Sequence, residues 1–302
     1  MTHLGFTNST KKAEDTMRVD RIAVIGAGTM GRGIAYTAIL AGFQVALHDI
    51  DSKQLTRATE DMNRLMERRI ELQEMTPDDR GAVMARLRTT TDLKVAVGDA
   101  DVVIEAVLER MEVKVDVFAQ LDALCPPHTI FATNTSTMSP TEIGAATTRP
   151  RQTIAMHFFN PVHRMKLVEI VRGLDTDDDT FETAKRLATR MGKESVEVNE
   201  FPGFVTSRIS CLVGNEAMKM LQEGVASAQD IDKAIQLGLN YPMGPLALAD
   251  LVGLDSRLRN MQYLHQKLGE TYRPAPILEK YVKAGRLGRK TGRGFFDYAS
   301  KS

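Results

Sequence analysis

His157 and Glu169 stand in "AMHFFNPVHRMKLVEI" (155–170), each inside a run that otherwise reads as a buried strand. Burying even an uncharged polar group without a partner costs roughly 2–7 kcal/mol, so the two residues are expected to be partners. An imidazole, with an ordinary pKa of about 6.5, can take and return a proton near neutrality. A carboxylate on its far nitrogen would fix the tautomer and stabilise the imidazolium that forms. The chemistry to expect is general acid–base catalysis, such as removing the proton of a hydroxyl group. Between the two, "NPVHR" is turn-rich and Pro161 forces a change of direction, so a hairpin-like return would set 157 across from 169. His163, at the tip among Arg164 and Lys166, reads as a surface residue.

A second chemical signal lies at "GAGTMG" (26–31), a G-x-G-x-x-G with Gly33 two residues on. It follows the apolar run "RIAVI" and opens a helix-like stretch. Gly26 permits the tight turn, Gly28 lets a pyrophosphate approach the backbone, and Gly31 allows close helix–strand packing. Thr29 and Met30 lie within the same loop, at a helix start whose unpaired N–H groups face phosphate oxygens. Asp49 ends the second strand, "QVALHD", 18 residues after Gly31. Its carboxylate suits the adenine ribose hydroxyls and repels a 2′-phosphate, so NAD is favoured over NADP. A hydride carrier and a histidine base together suit a dehydrogenase.

These groups need a frame to position them. Strand, helix, strand within about 30 residues is a βαβ unit. Further buried strands are expected at "ADVVIEAV" (100–107), "TIFATNTS" (129–136), "TIAMHFF" (153–159) and "ESVEVN". Residues 52–87 read as helical, with a break at Pro77. From "FPGFVTSRI" onward the pattern is helical, and Ser227 with Asp230 marks a helix start. The expected fold is an α/β Rossmann-type nucleotide-binding domain over 18–200 followed by an all-α C-terminal domain over 201–302, with residues 1–17 a polar, disordered extension. Ligands of such sheets bind beyond the carboxyl ends of the strands. That makes Glu105 to Glu109, Asn134 to Ser136 and His157 to Asn160 candidates. Ser136, Asn134 and Asn160 could hold a substrate oxygen or the nicotinamide amide, or could serve as helix caps and turn residues.

Bulk composition narrows the classes. The 302 residues carry 39 basic and 39 acidic side chains, a formal net charge of zero, which argues against nucleic acid or an anionic membrane surface as partner. No apolar run reaches the ~18 residues of a membrane span. Two cysteines, Cys125 and Cys211, share no short spacing with each other or with histidines, so no metal site or disulfide framework is expected, and a reduced, cytoplasmic compartment is.

Taken together, "VIGAGTMGRGIA", "NTST", "HFFNPVHRMKLVEIV", "PGFVTSRI", "NYPMGPLALADLVGLD" and "GRLGRKTGRGFFDY" resemble the 3-hydroxyacyl-CoA dehydrogenase family, the short bacterial 3-hydroxybutyryl-CoA enzymes above all, over about residues 18 to 298. The resemblance implies NAD-dependent interconversion of L-3-hydroxyacyl-CoA and 3-oxoacyl-CoA, with an acyl-CoA substrate and a homodimer formed through the helical domain. It casts His157 as the base and Glu169 as its carboxylate partner. Ser136 and Asn160 match substrate- or nicotinamide-holding positions, and Glu109, Lys114 and Lys290 match cofactor-contacting ones. Two departures stand out. Ser207 occupies a place where many members have a substrate-side Asn; a hydroxyl there could still donate, directly or through water. Leu65 and Leu72 stand where some members contact CoA with Ser and Lys, so those contacts do not carry over. The competing readings are a dehydrogenase of a small hydroxy acid or sugar acid not linked to CoA, and a non-catalytic NAD-binding protein.

Overall fold

The computed structural model describes residues 18–298; the extension expected over 1–17 lies outside the described residues. The chain divides into two compact units. Among the described residues, 18–135 together with Pro140–Val198 form one, and Ser136–Ser139 together with 199–298 form the other. Ser136–Ser139, from the loop after β5, thus groups with the helices that follow. The Gly203 N–H, in the segment that leads into the helices, donates to the Thr137 carbonyl (3.4 Å).

The first unit is one eight-stranded sheet: β1 (Arg21–Ile25), β2 (Gln44–His48), β3 (Leu87–Thr90), β4 (Val102–Glu105), β5 (Ile130–Thr133), β6 (Thr153–Phe158), β7 (Leu167–Arg172) and β8 (Glu194–Asn199). Their spatial order is 3-2-1-4-5-6-7-8. β3 through β6 pair in parallel, and β7 returns antiparallel to β6. The first six positions are those of a doubly wound nucleotide-binding sheet, whose order reverses between β1 and β4. Alternation along each strand sends side chains to two apolar layers. Val24, Leu47 and Ile104 pack with α1 (Thr29–Leu40), α2 (Ser52–Glu71) and α7 (Asp178–Arg190). Ala23, Val103 and Phe131 pack with α4 (Leu93–Val97), α5 (Met111–Leu124) and α6 (Pro140–Gly144) on the other face. Each fully buried large side chain there contributes roughly 1.5–3 kcal/mol.

Pro77 does interrupt the helical stretch, but by starting α3 (Pro77–Met84), where Thr76 and Asp79 form a reciprocal capping box. The helical reading of 52–87 also ran over the start of β3. "LRTT" has no apolar alternation because it is an edge strand, half exposed and held by β2 alone.

The second unit holds α8 (Thr206–Gln222), α9 (Ala228–Gly238), α10 (Pro245–Val252), α11 (Leu254–Leu268) and α12 (Pro276–Lys283) around Cys211, Met218, Leu246, Leu254 and Met261. Ser227 caps α9 by accepting from the Asp230 N–H. Two buried acids organise the rest. Asp232 accepts from the Leu246 and Ala247 N–H groups at the start of α10, and Asp250 accepts from the Phe295 and Phe296 N–H groups and the Tyr298 hydroxyl. From α8 to residue 298 the described residues are helical but for isolated bridges of Arg293 to Gly288 and Asp297.

Candidate active site

The glycine loop runs from the end of β1 into α1. Gly26 takes φ +100°, and a Cβ there would lie 2.6 Å from the Ala106 carbonyl oxygen, so only glycine lets β1 turn beside the end of β4. A Cβ on Gly31 would run into the Gly26 carbonyl, while one on Gly28 would meet no protein atom within 4 Å. The constraint on Gly28 therefore comes from outside the fold, as expected where a phosphate must approach the backbone. Thr29, Met30 and Gly31 form the first turn of α1, which has no side-chain cap and no acid in that turn. Its amide groups and dipole remain available to an anion. Asp49 follows β2. Its Oδ2 accepts from the Ala27 N–H (2.7 Å) and its Oδ1 from the Asp51 N–H (3.0 Å), so the acid that suits a ribose also ties down the glycine loop. These residues fit an NAD molecule: loop and helix start for the pyrophosphate, Asp49 for the adenine ribose.

Across the switch point lies a buried ionic group. Lys114, on α5, is fully buried, and its Nζ lies 2.8 and 3.0 Å from the two Glu105 oxygens and 3.1 Å from Glu109. Thr133 donates to Glu105 (2.7 Å), and Thr135 donates to Glu109 (2.6 Å). Burial works against the Lys114 ammonium, but the two carboxylates outweigh it and hold its pKa above the ordinary lysine value. The Lys114 side chain thus has no exposed surface to offer a cofactor. It turns to Glu105 and Glu109, and Glu109 keeps 22% of its side chain exposed. Glu105 ends "VVIE", an acid closing an apolar run, and it opens the strand-end stretch to Glu109 that the sequence marks as a candidate.

His157 and Glu169 are direct cross-strand partners of β6 and β7. Nδ1 lies 2.7 Å from Oε2, with Glu169 fully buried and His157 nearly so. A carboxylate can only accept, so this bond assigns the proton to Nδ1. Phe159 packs against the imidazole at 4.3 Å between ring centroids. Asn134 Oδ1 accepts from the Phe158 N–H (2.9 Å), tying the end of β6 to the segment after β5. Asn160 is exposed in the turn that follows. His163 is exposed too, and meets Tyr36 of α1 edge-on at 6.0 Å between centroids. Burial first, then the Arg164 and Lys193 charges, push the His163 pKa below the ordinary value.

The remaining candidates belong to the second unit. Ser136 begins its Ser136–Ser139 segment, and Ser207 stands in the first turn of α8. Lys290 is half exposed, 2.5 Å from Asp255 at the start of α11. Burial works to raise the Asp255 carboxyl, but the bond and charge of Lys290, the Ser256 N–H and Arg259 together hold it below the usual range. Among the described residues no three His, Cys, Asp or Glu side chains group as a metal site, and no helix is long and apolar enough to cross a membrane.

A sheet of this order, with a glycine loop at its switch point and an acid after its second strand, defines a dinucleotide-binding protein of the doubly wound class. The particular family follows from comparison with known proteins. Residues 21–201 match the NAD binding domain of 3-hydroxyacyl-CoA dehydrogenase, and residues 203–298 match that family's C-terminal domain. The chain belongs to the 3-hydroxyacyl-CoA dehydrogenase family. It is 48% identical over 287 residues to a probable 3-hydroxybutyryl-CoA dehydrogenase of Bacillus subtilis, covering 95% of this chain and 100% of that one. It is 44% identical over 281 residues to the 3-hydroxybutyryl-CoA dehydrogenase of Bradyrhizobium diazoefficiens, covering 93% and 96%. Among solved structures, an (S)-3-hydroxybutyryl-CoA dehydrogenase from Ralstonia eutropha superposes with a TM-score of 0.88 at 39% identity, over 94% of this chain and 100% of that chain.

Proposed function

We propose that this protein catalyses the NAD-dependent interconversion of an L-3-hydroxyacyl-CoA, short-chain and of the 3-hydroxybutyryl type, with its 3-oxoacyl-CoA. The observation that carries the reading is the buried His157–Glu169 pair, 2.7 Å apart at the carboxyl edge of a nucleotide-binding sheet. Bound NAD supplies the hydride acceptor. The protein's own work is proton transfer and positioning. His157 Nε2 takes the hydroxyl proton, because Nδ1 already carries the hydrogen bonded to Glu169. Glu169 stabilises the imidazolium that results and prevents the ring from rotating. Ser136 and Asn160 orient the substrate oxygen, and Ser207 serves the substrate side. Gly26, Gly28, Thr29, Met30 and Gly31 hold the pyrophosphate, Asp49 the adenine ribose, and Glu109 and Lys290 the rest of the cofactor. Lys114 acts through Glu109.

The protein is proposed to work as a cytoplasmic homodimer built on its helical unit. That unit exposes Val205, Ile209, Val225, Leu237 and Leu239, apolar side chains that a subunit interface would cover, and both cysteines are buried thiols, consistent with a reducing compartment.

The test is turnover of acetoacetyl-CoA and of free acetoacetate with NADH, in wild type and His157→Ala. The reading expects activity with the thioester alone, lost by about 10²–10⁴-fold in the variant with NADH binding retained. Preference for the free acid, or near-normal turnover in His157→Ala, would overturn it.

A further inference from the structure

Lys193 is a buried cation that the proposed mechanism leaves unused. It follows Gly192, whose φ of +70° ends α7, and both residues donate backbone bonds to the last turn of that helix. The next residue, Glu194, donates its N–H to the Lys166 carbonyl (2.9 Å). The backbone on each side is thus fixed, and the side chain reaches the turn between β6 and β7. There the ammonium, 8% exposed as a residue, donates to the Val162 carbonyl and to the Met165 carbonyl (2.9 Å). Among the described residues, no carboxylate lies within ion-pair distance of it. Burial holds its pKa below the ordinary lysine value. A desolvated charge held by carbonyl dipoles alone is costly, whereas a single-donor hydroxyl could bond only one such carbonyl. An ammonium suits this place because it donates to two at once.

The same turn also meets α1. A Cβ on Gly33 of α1 would lie 2.9 Å from Val162 Cγ2, so the glycine lets Val162 seat directly on the helix. Tyr36, one turn further along α1, meets His163 edge-on. The turn between His157 and Glu169 is therefore held by Lys193 at the Val162 and Met165 carbonyls and by the helix whose first turn belongs to the glycine loop at Val162 and His163.

We propose that Lys193 is a positioning residue: by holding the Val162 and Met165 carbonyls while the Val162 side chain seats on Gly33, it sets the course of the turn that carries Asn160 and keeps His157 in register with Glu169. The inference rests on the dehydrogenase reading for its effect on turnover, but its effect on the histidine–carboxylate bond is independent of substrate.

Two variants of the full-length protein test it. Lys193→Met keeps the aliphatic stem and removes the ammonium, and Gly33→Ala crowds Val162 from α1. Each is read by acetoacetyl-CoA turnover, by NADH affinity, and by the downfield proton NMR signal of the His157 Nδ1–H. The expectation is a fall in kcat of about 10- to 100-fold, as for a sub-ångström to 1 Å displacement of catalytic groups, with a smaller change in NADH affinity and a shifted or broadened imidazole signal. A wild-type signal and wild-type kcat in Lys193→Met would overturn the proposal. If that variant does not fold, the same two results in Gly33→Ala would overturn it. Loss of kcat only in proportion to the folded fraction would also count against it. A wild-type protein inactive on acetoacetyl-CoA would instead overturn the functional reading, and the imidazole signal would still decide this one.

Discussion

Replacing Glu169 by Gln isolates the charge of the histidine's partner. The side chain is fully buried on a strand in the interior of the sheet, and glutamine has its shape, so packing is preserved. What is lost is a carboxylate 2.7 Å from Nδ1. For two full charges about 4 Å apart at an effective dielectric of about 20, Coulomb attraction is about 4 kcal/mol, an upper bound on the loss. Measured hydrogen bonds to charged groups contribute about 1.5–3 kcal/mol. The imidazolium exists only once the proton has moved, so this amount is subtracted from the transition state rather than from binding. At 1.36 kcal/mol per tenfold, kcat should fall by about 10- to 150-fold. The loss should stay below that of His157→Ala, which removes the base itself. The assay is initial-rate NADH formation from L-3-hydroxybutyryl-CoA at saturation, the direction in which His157 takes the proton, alongside fluorescence titration of NADH and a thermal melt. A kcat within about twofold of wild type would refute the reasoning, because the general-base contribution it modulates is worth 10²–10⁴-fold. So would an equal loss of NADH affinity, which would mean the carboxylate supports the fold of the cofactor site rather than the proton transfer.

Asp49→Asn keeps an acceptor for the Ala27 N–H and removes the charge, so the ratio of kcat/KM with NADPH to that with NADH should rise by about tenfold or more; an unchanged ratio would show that Asp49 does not face the ribose. Lys114→Met strands Glu105 in the interior and should cost about 3–5 kcal/mol in urea denaturation, with Lys114→Met/Glu105→Gln recovering part of it; a loss under about 1 kcal/mol would mean the ionic group is not held as described. His48 is buried beside Asp49, and burial pushes its pKa below the ordinary value against the pull of the Thr91 carbonyl, Asp49 and Asp92. A base with a depressed folded pKa binds fewer protons than in the unfolded chain, so stability is lost as pH falls below about 6.5. The stability gap between wild type and His48→Phe should therefore shift against wild type between about pH 7 and about pH 5; parallel curves would exclude it.

Much of this protein is written locally. Apolar runs closed by glycine and a capped helix start depend on neighbours a few residues apart, so the strands that carry the chemistry, the glycine loop and the Ser227 helix start were legible in order. Asp49 was legible for the same reason, since a βαβ unit fixes where its second strand ends. "LRTT" was not, because an edge strand carries no apolar signature of its own and exists only where β2 offers hydrogen bonds. "NTST" could not declare its unit either, as short polar segments pack according to distant partners.

The histidine–carboxylate pair divides between the two sources of information. The sequence by itself made His157 and Glu169 costly to bury alone and placed a turn between them, so a partnership was implied. Only the tertiary structure decided the cross-strand register that sets one opposite the other. It alone turned Lys114 inward to Glu105 and Glu109, and carried Lys193 to the turn from a helix end about 30 residues away. Local propensity reads the chain over one or two turns, whereas desolvation and ion pairing depend on what the whole fold brings within a few ångströms.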